Sequence, residues 1–151
     1  MDISRRAVLA GGLALAAGLI SRPVAAAKPA VIVYKSATCG CCKLWGTHLM
    51  DNGVPTTGED VADLGSVKKK HGVPEALQSC HTALVDGYVV EGHVPADLID
   101  RLLAERPQVV GIAVPGMPIG SPGMEMPGRA ADRYQILTFD RTGRTTVFAI
   151  R

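Results

Sequence analysis

An α/β domain, with a central mixed sheet and flanking helices, is predicted by three observations. A β-branched and aromatic run, VIVY at residues 31–34, is followed by a helix-forming stretch, a second extended segment and a second helix. Further along, TALV at 82–85 and YVVE at 88–91 flank Asp86-Gly87, a dipeptide that favours a type I′ hairpin. A third helical stretch then completes the succession β-α-β-α-β-β-α, in which the first strands run parallel and the hairpin strands antiparallel.

The elements follow in order. Residues 31–34 are short, apolar and β-branched, as in a buried central strand. Residues 35–38 lead into Cys39-Gly40-Cys41-Cys42, and residues 43–52 form a helix that Gly53 stops. Residues 54–61 are extended, and 63–71 form a second helix ended by Gly72 and Pro74. After the hairpin, Pro95 suits the first turn of a helix running to about Arg106, with Leu98, Leu102 and Leu103 on its apolar face. Residues 111–114 form a further short strand. Residues 115–128 hold four prolines, four glycines and three methionines, which allow neither helix nor central strand and leave a loop. Residues 134–139 and 145–150 make a terminal β-hairpin. The arrangement is thioredoxin-like, a fold that keeps reactive thiols where its first strand meets its first helix.

The first 27 residues read as a targeting segment. Ser4-Arg5-Arg6 opens it in the manner of a twin-arginine export signal, residues 7–20 are apolar and uncharged, and Ala25-Ala26-Ala27 suits signal peptidase. Fourteen apolar residues are too few for a comfortable permanent anchor. A periplasmic location follows as the expectation, with a single domain over residues 28–151 and no membrane association after cleavage. The intact chain has 151 residues and a formal charge of +2; without residues 1–27 it keeps 13 basic and 13 acidic residues. That balance offers nothing to nucleic acid or an anionic membrane. The one basic run, Lys68-Lys69-Lys70, reads as a solvated helix face.

Three of the four cysteines fall within four residues. Disulfide staples stabilise most by closing long loops, and Cys39, Cys41 and Cys42 close only trivial ones among themselves, so their role is chemical. At a helix N-terminus, unpaired backbone N–H groups and the helix dipole favour thiolates. Cys39 and Cys42 have the spacing of a redox pair, and the third sulfur is surplus to dithiol chemistry. Thiolates in this number select Cu(I) or Zn(II). Cys80, just before the third strand, is the candidate fourth sulfur, since the topology returns it to the cysteine turn; His81 beside it is an outer group or spare ligand. Met117, Met124 and Met126 lie in the 115–128 loop, where clustered thioethers make soft ligands as readily as they fill gaps. Met117 and Met124 are the better candidates of the three. His93, between hairpin and third helix, is a further candidate ligand. His48 and His71 read as surface side chains.

The chain resembles the periplasmic copper-resistance proteins called CopG. The resemblance spans 31–150 and rests on Cys39-Gly40-Cys41-Cys42, Ser79-Cys80-His81-Thr82-Ala83, Gly87-Tyr88, Glu91-Gly92-His93-Val94-Pro95-Ala96, Val114-Pro115-Gly116-Met117-Pro118 and Gly120-Ser121-Pro122-Gly123-Met124-Glu125. It implies a thioredoxin-like fold, Cu(I) held by the cysteines of both segments, a multinuclear thiolate cluster, and a role in copper tolerance beside copper-efflux and copper-oxidase systems. Three functions follow for comparison. The first is a copper-binding protein using Cys39, Cys41, Cys42 and Cys80, with electrons exchanged between thiolates and Cu(II). The second is a thiol–disulfide oxidoreductase using Cys39 and Cys42, against which counts His81 standing where thioredoxin-like proteins place a proline. The third is an iron–sulfur carrier, for which four cysteines suffice.

Overall fold

The computed structural model describes residues 27–151. The predicted export signal lies, but for Ala27, outside the described residues. The chain forms β1 (Val31–Lys35), α1 (Gly40–Asp51), β2 (Thr56–Asp60), α2 (Leu64–Lys70), a 3-10 turn (Glu75–Leu77), β3 (His81–Val85), β4 (Tyr88–Glu91), α3 (Ala96–Glu105), β5 (Gly111–Ala113), β6 (Gln135–Phe139) and β7 (Thr145–Ile150). The strands join in one mixed sheet of order β2-β1-β3-β4-β5-β6-β7. The β1–β2 pair is parallel, β3 and β4 are antiparallel, and the terminal hairpin extends the sheet through an antiparallel β5–β6 pair.

Sequence chemistry explains the local choices. Asp86 and Gly87 both take positive φ, 46° and 86°, the type I′ turn whose twist matches the flanking strands. Asp63 caps α2 by accepting from the Ser66 N–H at 3.0 Å. Arg106 ends α3 in the left-handed conformation. Pro95 stands at the cap of that helix rather than inside its first turn, since its ψ of 143° is still extended, and the Ala96 N–H donates to the Nε2 of His48 at 3.1 Å. His48 is therefore a cap for α3 and not simply a surface side chain.

The main core lies on the α1/α3 face of the sheet, where Val31, Val33, Trp45, Leu49, Val90, Ile99, Leu102 and Ile112 are buried together. Ile99 joins the apolar face of α3 beside Leu98 and Leu102. A smaller cluster of Val73, Leu77, Val89, Ala113 and Phe139 covers part of the other face. β1 is consequently buried on one side only: Val31 and Val33 point into the core while Ile32 is exposed, so a continuous apolar run conceals an alternating strand.

The basic run on α2 departs from expectation. Lys69 and Lys70 are exposed, but Lys68 is 5% exposed and forms an ion pair with Glu91, which is wholly buried. Lys68 also donates to Thr82 Oγ1 at 3.0 Å, and Thr82 Oγ1 donates to Glu91 Oε2 at 2.7 Å. Glu91 ends the buried run of β4 on the side of the sheet that α2 covers, so one lysine of the three must turn inward to neutralise it. Lys68→Ala is expected to strand the Glu91 carboxylate and lower the unfolding free energy by about 3–5 kcal/mol. Urea unfolding followed by circular dichroism measures this, and a loss below about 1 kcal/mol would contradict it.

Candidate metal centre

One register determines which residues meet. β1 and β3 pair antiparallel with Lys35 opposite His81, so the chain leaving β1 and the chain entering β3 lie side by side at one end of the sheet. Residues 36–38 turn directly into α1, for which Cys39 is the extended N-terminal cap. The helix begins at Gly40, three residues earlier than expected, because the cysteines themselves form its first turn. No side chain caps this end and no acidic residue lies in the first turn, so its unpaired N–H groups and positive dipole end face the sulfurs.

Cys80 precedes β3 and lands against that turn. Its Sγ lies 3.7 Å from the Sγ of Cys41 and 3.6 Å from that of Cys42, and Cys39 and Cys41 are 3.6 Å apart. Ligand atoms of Cys39, Cys41, Cys42 and Cys80 all fall within 4.8 Å of one another. Cys39 and Cys42 are joined in a disulfide, leaving Cys41 and Cys80 as free thiols. Cys42 is buried, whereas the other three sulfurs are half-buried.

A second register adds two histidines. Glu91 lies opposite Thr82, and the Gly92 N–H donates to the His81 carbonyl at 3.1 Å, which carries His93 to the flank of Cys80. His93 Nε2 is 3.0 Å from Cys80 Sγ and His81 Nδ1 is 3.3 Å from it. His93 Nδ1 lies 2.8 Å from the Pro122 carbonyl, which can only accept, so Nδ1 carries the proton and Nε2 presents its lone pair to Cys80. His81 packs on Trp45 with ring centroids 4.3 Å apart and meets the His93 ring edge-on at 5.0 Å. Cys80 and His81 thus both face the pocket, although successive residues of a strand ordinarily point to opposite faces; Cys80 lies just ahead of the strand and escapes the alternation.

The 115–128 loop closes the centre from above. The Ser79 hydroxyl donates to the Gly116 carbonyl, and Gly123 sits on α1 with φ +84°. A Cβ built on Gly123 would stand 2.8 Å from both the Cys41 carbonyl and the Trp45 nitrogen. Met124 follows it and is half-buried. Met117 and Met126 point outward, 52% and 46% exposed. Glu91 secures the other wall, accepting from the Ser79 N–H at 2.7 Å next to Cys80. Lys68, Glu91 and the Pro122 carbonyl were not marked as site groups by sequence; the one available signal was a charged residue ending the apolar run YVVE.

Electrostatics leave the Cys80 thiol and the two imidazoles uncharged. Burial, reinforced by the neighbouring Cys41, pushes the Cys80 thiol up to about 12. Burial pulls His81 down to about 3, with His93 and Lys68 adding to the effect. Burial also lowers His93, while its bond to Pro122 opposes the change. Burial raises Glu91, against which the Lys68 ammonium acts. Sulfurs and neutral imidazoles are soft to borderline donors that suit copper or zinc better than calcium or magnesium.

The chain has relatives among known proteins. The family described as "Protein of unknown function, DUF411" matches residues 77–124, the stretch from the 3-10 turn through Cys80 and His93 to Met124. A solved structure named copper resistance protein CopG, Form 1, is 49% identical over 82% of this chain and 98% of its own, with a TM-score of 0.77. The chain belongs to the CopG family. A second structure of that name, Form 2, is 48% identical with the same coverage and TM-score. Among curated proteins no match was found. The family relation and the cysteine cluster together indicate a copper-related role. The 115–128 loop rests on α1 through Gly123. Gly123→Ala is expected to cost about 1–2 kcal/mol for the left-handed backbone alone and to lift the loop from α1. Limited proteolysis within 115–128 should accelerate, and an unchanged cleavage rate would refute this docking.

Proposed function

We propose that this protein serves copper resistance in the periplasm, binding Cu(I) on Cys39, Cys41, Cys42 and Cys80 as a multinuclear thiolate cluster and exchanging electrons with it. One observation carries the reading: sulfurs from two segments 38 residues apart converge within 4.8 Å. Soft thiolates favour Cu(I), and adjacent sulfurs can bridge ions where a single ion would leave donors idle. The redox step balances on the residues present. Two Cu(II) ions each take one electron as the Cys39 and Cys42 thiols form their disulfide, yielding two Cu(I) and two protons released to solvent. Met117 and Met124 offer thioethers for copper arriving or leaving. The twin-arginine signal supports export, and a Cys39–Cys42 disulfide suits an oxidising compartment. Copper-efflux or copper-oxidase components are the partners this role calls for.

A thiol–disulfide oxidoreductase of thioredoxin-like type is the second reading, favoured by the Cys39–Cys42 disulfide at the head of α1. Competition between the reduced protein and a Cu(I) chelator separates the two. Cys41→Ser combined with Cys80→Ser should lower Cu(I) affinity more than about a hundredfold, beyond the usual cost of losing an outer partner. Unchanged affinity, together with disulfide-reductase turnover that survives both substitutions, would favour the second reading. Copper uptake should also depend on pH. Each thiol proton displaced makes binding about tenfold tighter per pH unit, and Cys80, held up at about 12, remains protonated throughout the neutral range. Affinity measured from about pH 6 to pH 8 should rise; a flat profile would exclude the Cys80 thiolate as a ligand.

A further inference from the structure

We propose that the free edge of β2, together with the groove between that strand and α1, binds an extended polypeptide segment of a partner protein and adds it to the sheet as a further strand. The proposal goes beyond the copper reading and does not rest on it.

β2 is one of the two outer strands of the sheet, and its pairing leaves a regular set of backbone groups unused. The Val31 N–H donates to the Pro55 carbonyl at 2.7 Å, and the Val61 N–H donates to the Lys35 carbonyl at 2.9 Å. In a parallel pair the residues of a strand turn their backbone groups alternately toward the neighbour and away from it. Thr57 and Glu59 therefore face β1, and the N–H and C=O groups of Thr56, Gly58 and Asp60 face outward. Only another extended backbone offers donors and acceptors at the same repeat, about 6.5 Å for every two residues. The opposite edge is guarded: β7 breaks register against Ile136 and Leu137, and its Phe148 carbonyl accepts from Arg101 at 2.9 Å. β2 pairs without a break and has no such cover.

Two of those outward residues also line the groove. Thr56 and Gly58 join Val33, Gly46, Thr47 and Met50 around a cavity of about 280 Å³. That is just under the range of about 300–1,000 Å³ that free small ligands fill, and it suits one long aliphatic side chain. Two glycines keep the groove open where glycine is otherwise unfavourable, Gly46 inside α1 and Gly58 inside β2. A Cβ on Gly58 would stand 3.3 Å from Lys35 Cε, and one on Gly46 would stand 3.8 Å from Thr56 Cγ2. Glycine inside a strand commonly marks the close approach of another backbone. Charge sets the chemistry of the occupant. Lys43 is exposed in the groove wall, and no acidic side chain of the described residues engages it. The Asp60 carboxylate is already held by Lys35, and Glu59 turns to the other face of the sheet. The segment that fits is extended, with a leucine-sized side chain facing the cavity and a carboxylate two residues away for Lys43.

The test follows amide hydrogen exchange of the purified protein by NMR, with acetyl-Thr-Glu-Thr-Leu-Thr-Glu-Thr-amide as the probe. Its side-chain order is the same from both ends, so a glutamate reaches Lys43 whichever way the peptide runs. At about 5 mM peptide and an affinity of about 1 mM or tighter, the N–H groups of Gly58 and Asp60 should exchange at least about sixfold more slowly. The N–H groups of Thr57 and Glu59, already bonded to β1, should not change. Gly58→Val fills the groove with a residue suited to a strand and should weaken binding by at least about tenfold, the loss of one buried aliphatic side chain. Replacing the peptide's leucine by lysine should do the same without altering the protein; if Gly58→Val fails to fold, that replacement alone decides. Lys43→Gln should weaken binding about two- to fivefold, as for an exposed ion pair. Unchanged exchange at Gly58 and Asp60, or protection that persists with the lysine peptide, would overturn the proposal. So would protection of the same amides by rising protein concentration without peptide, which would put a second copy on this edge.

Discussion

The antiparallel pairing of β1 with β3 is the constraint on which the rest depends. Lys35 opposite His81 means that one strand ends where the other begins, so the first turn of α1 and the residues before β3 share one small volume. A slip of one residue would turn His81 and Thr82 to the wrong faces and carry Cys80 away from the helix. The register is held by what lies on both sides of the sheet. Val31, Val33 and Ala83 are buried against Trp45 and Leu49, while Thr82 joins the Lys68–Glu91 pair on the opposite face. Burial and a satisfied ion pair thus specify the same alignment independently.

The electrostatic design of the centre is an economy of charge. Burial favours the neutral forms of Cys80, His81 and His93: a thiol held protonated and two imidazoles held unprotonated. Of the charged groups close by, Lys68 and Glu91 cancel each other. A cation that trades a thiol proton for a metal–sulfur bond enters without leaving an uncompensated charge behind, which is what an apolar surrounding demands. The buried ion pair serves position more than stability, because Glu91 spends one of its oxygens on the Ser79 N–H beside Cys80.

Local chemistry made much of this legible beforehand. The Asp86-Gly87 turn, the Pro- and Gly-rich loop and the strand–cysteine–helix junction each follow from residue-level rules that tertiary context did not override. The errors had specific causes. Lys68 looked like one of three solvated lysines, since nothing in a basic run tells which member meets a buried carboxylate. His48 looked like a surface residue because its partner, the Ala96 N–H, lies 48 residues away. Residues 31–34 read as fully buried because β-branched residues occupy half-exposed strands as readily as buried ones.

By itself the amino-acid order determined the α/β succession, the sulfur-rich turn at a helix start and the family resemblance, because each depends on neighbours within a few residues. Only the tertiary structure decided that His93 and His81 join Cys80, that the Pro122 carbonyl fixes a tautomer, and that Gly123 lets a loop rest on α1. The His93–Cys80, His93–Pro122 and Gly123–Cys41 relations connect residues 13, 29 and 82 positions apart. They arise from strand register and close packing, which act through space and leave no periodic trace along the chain.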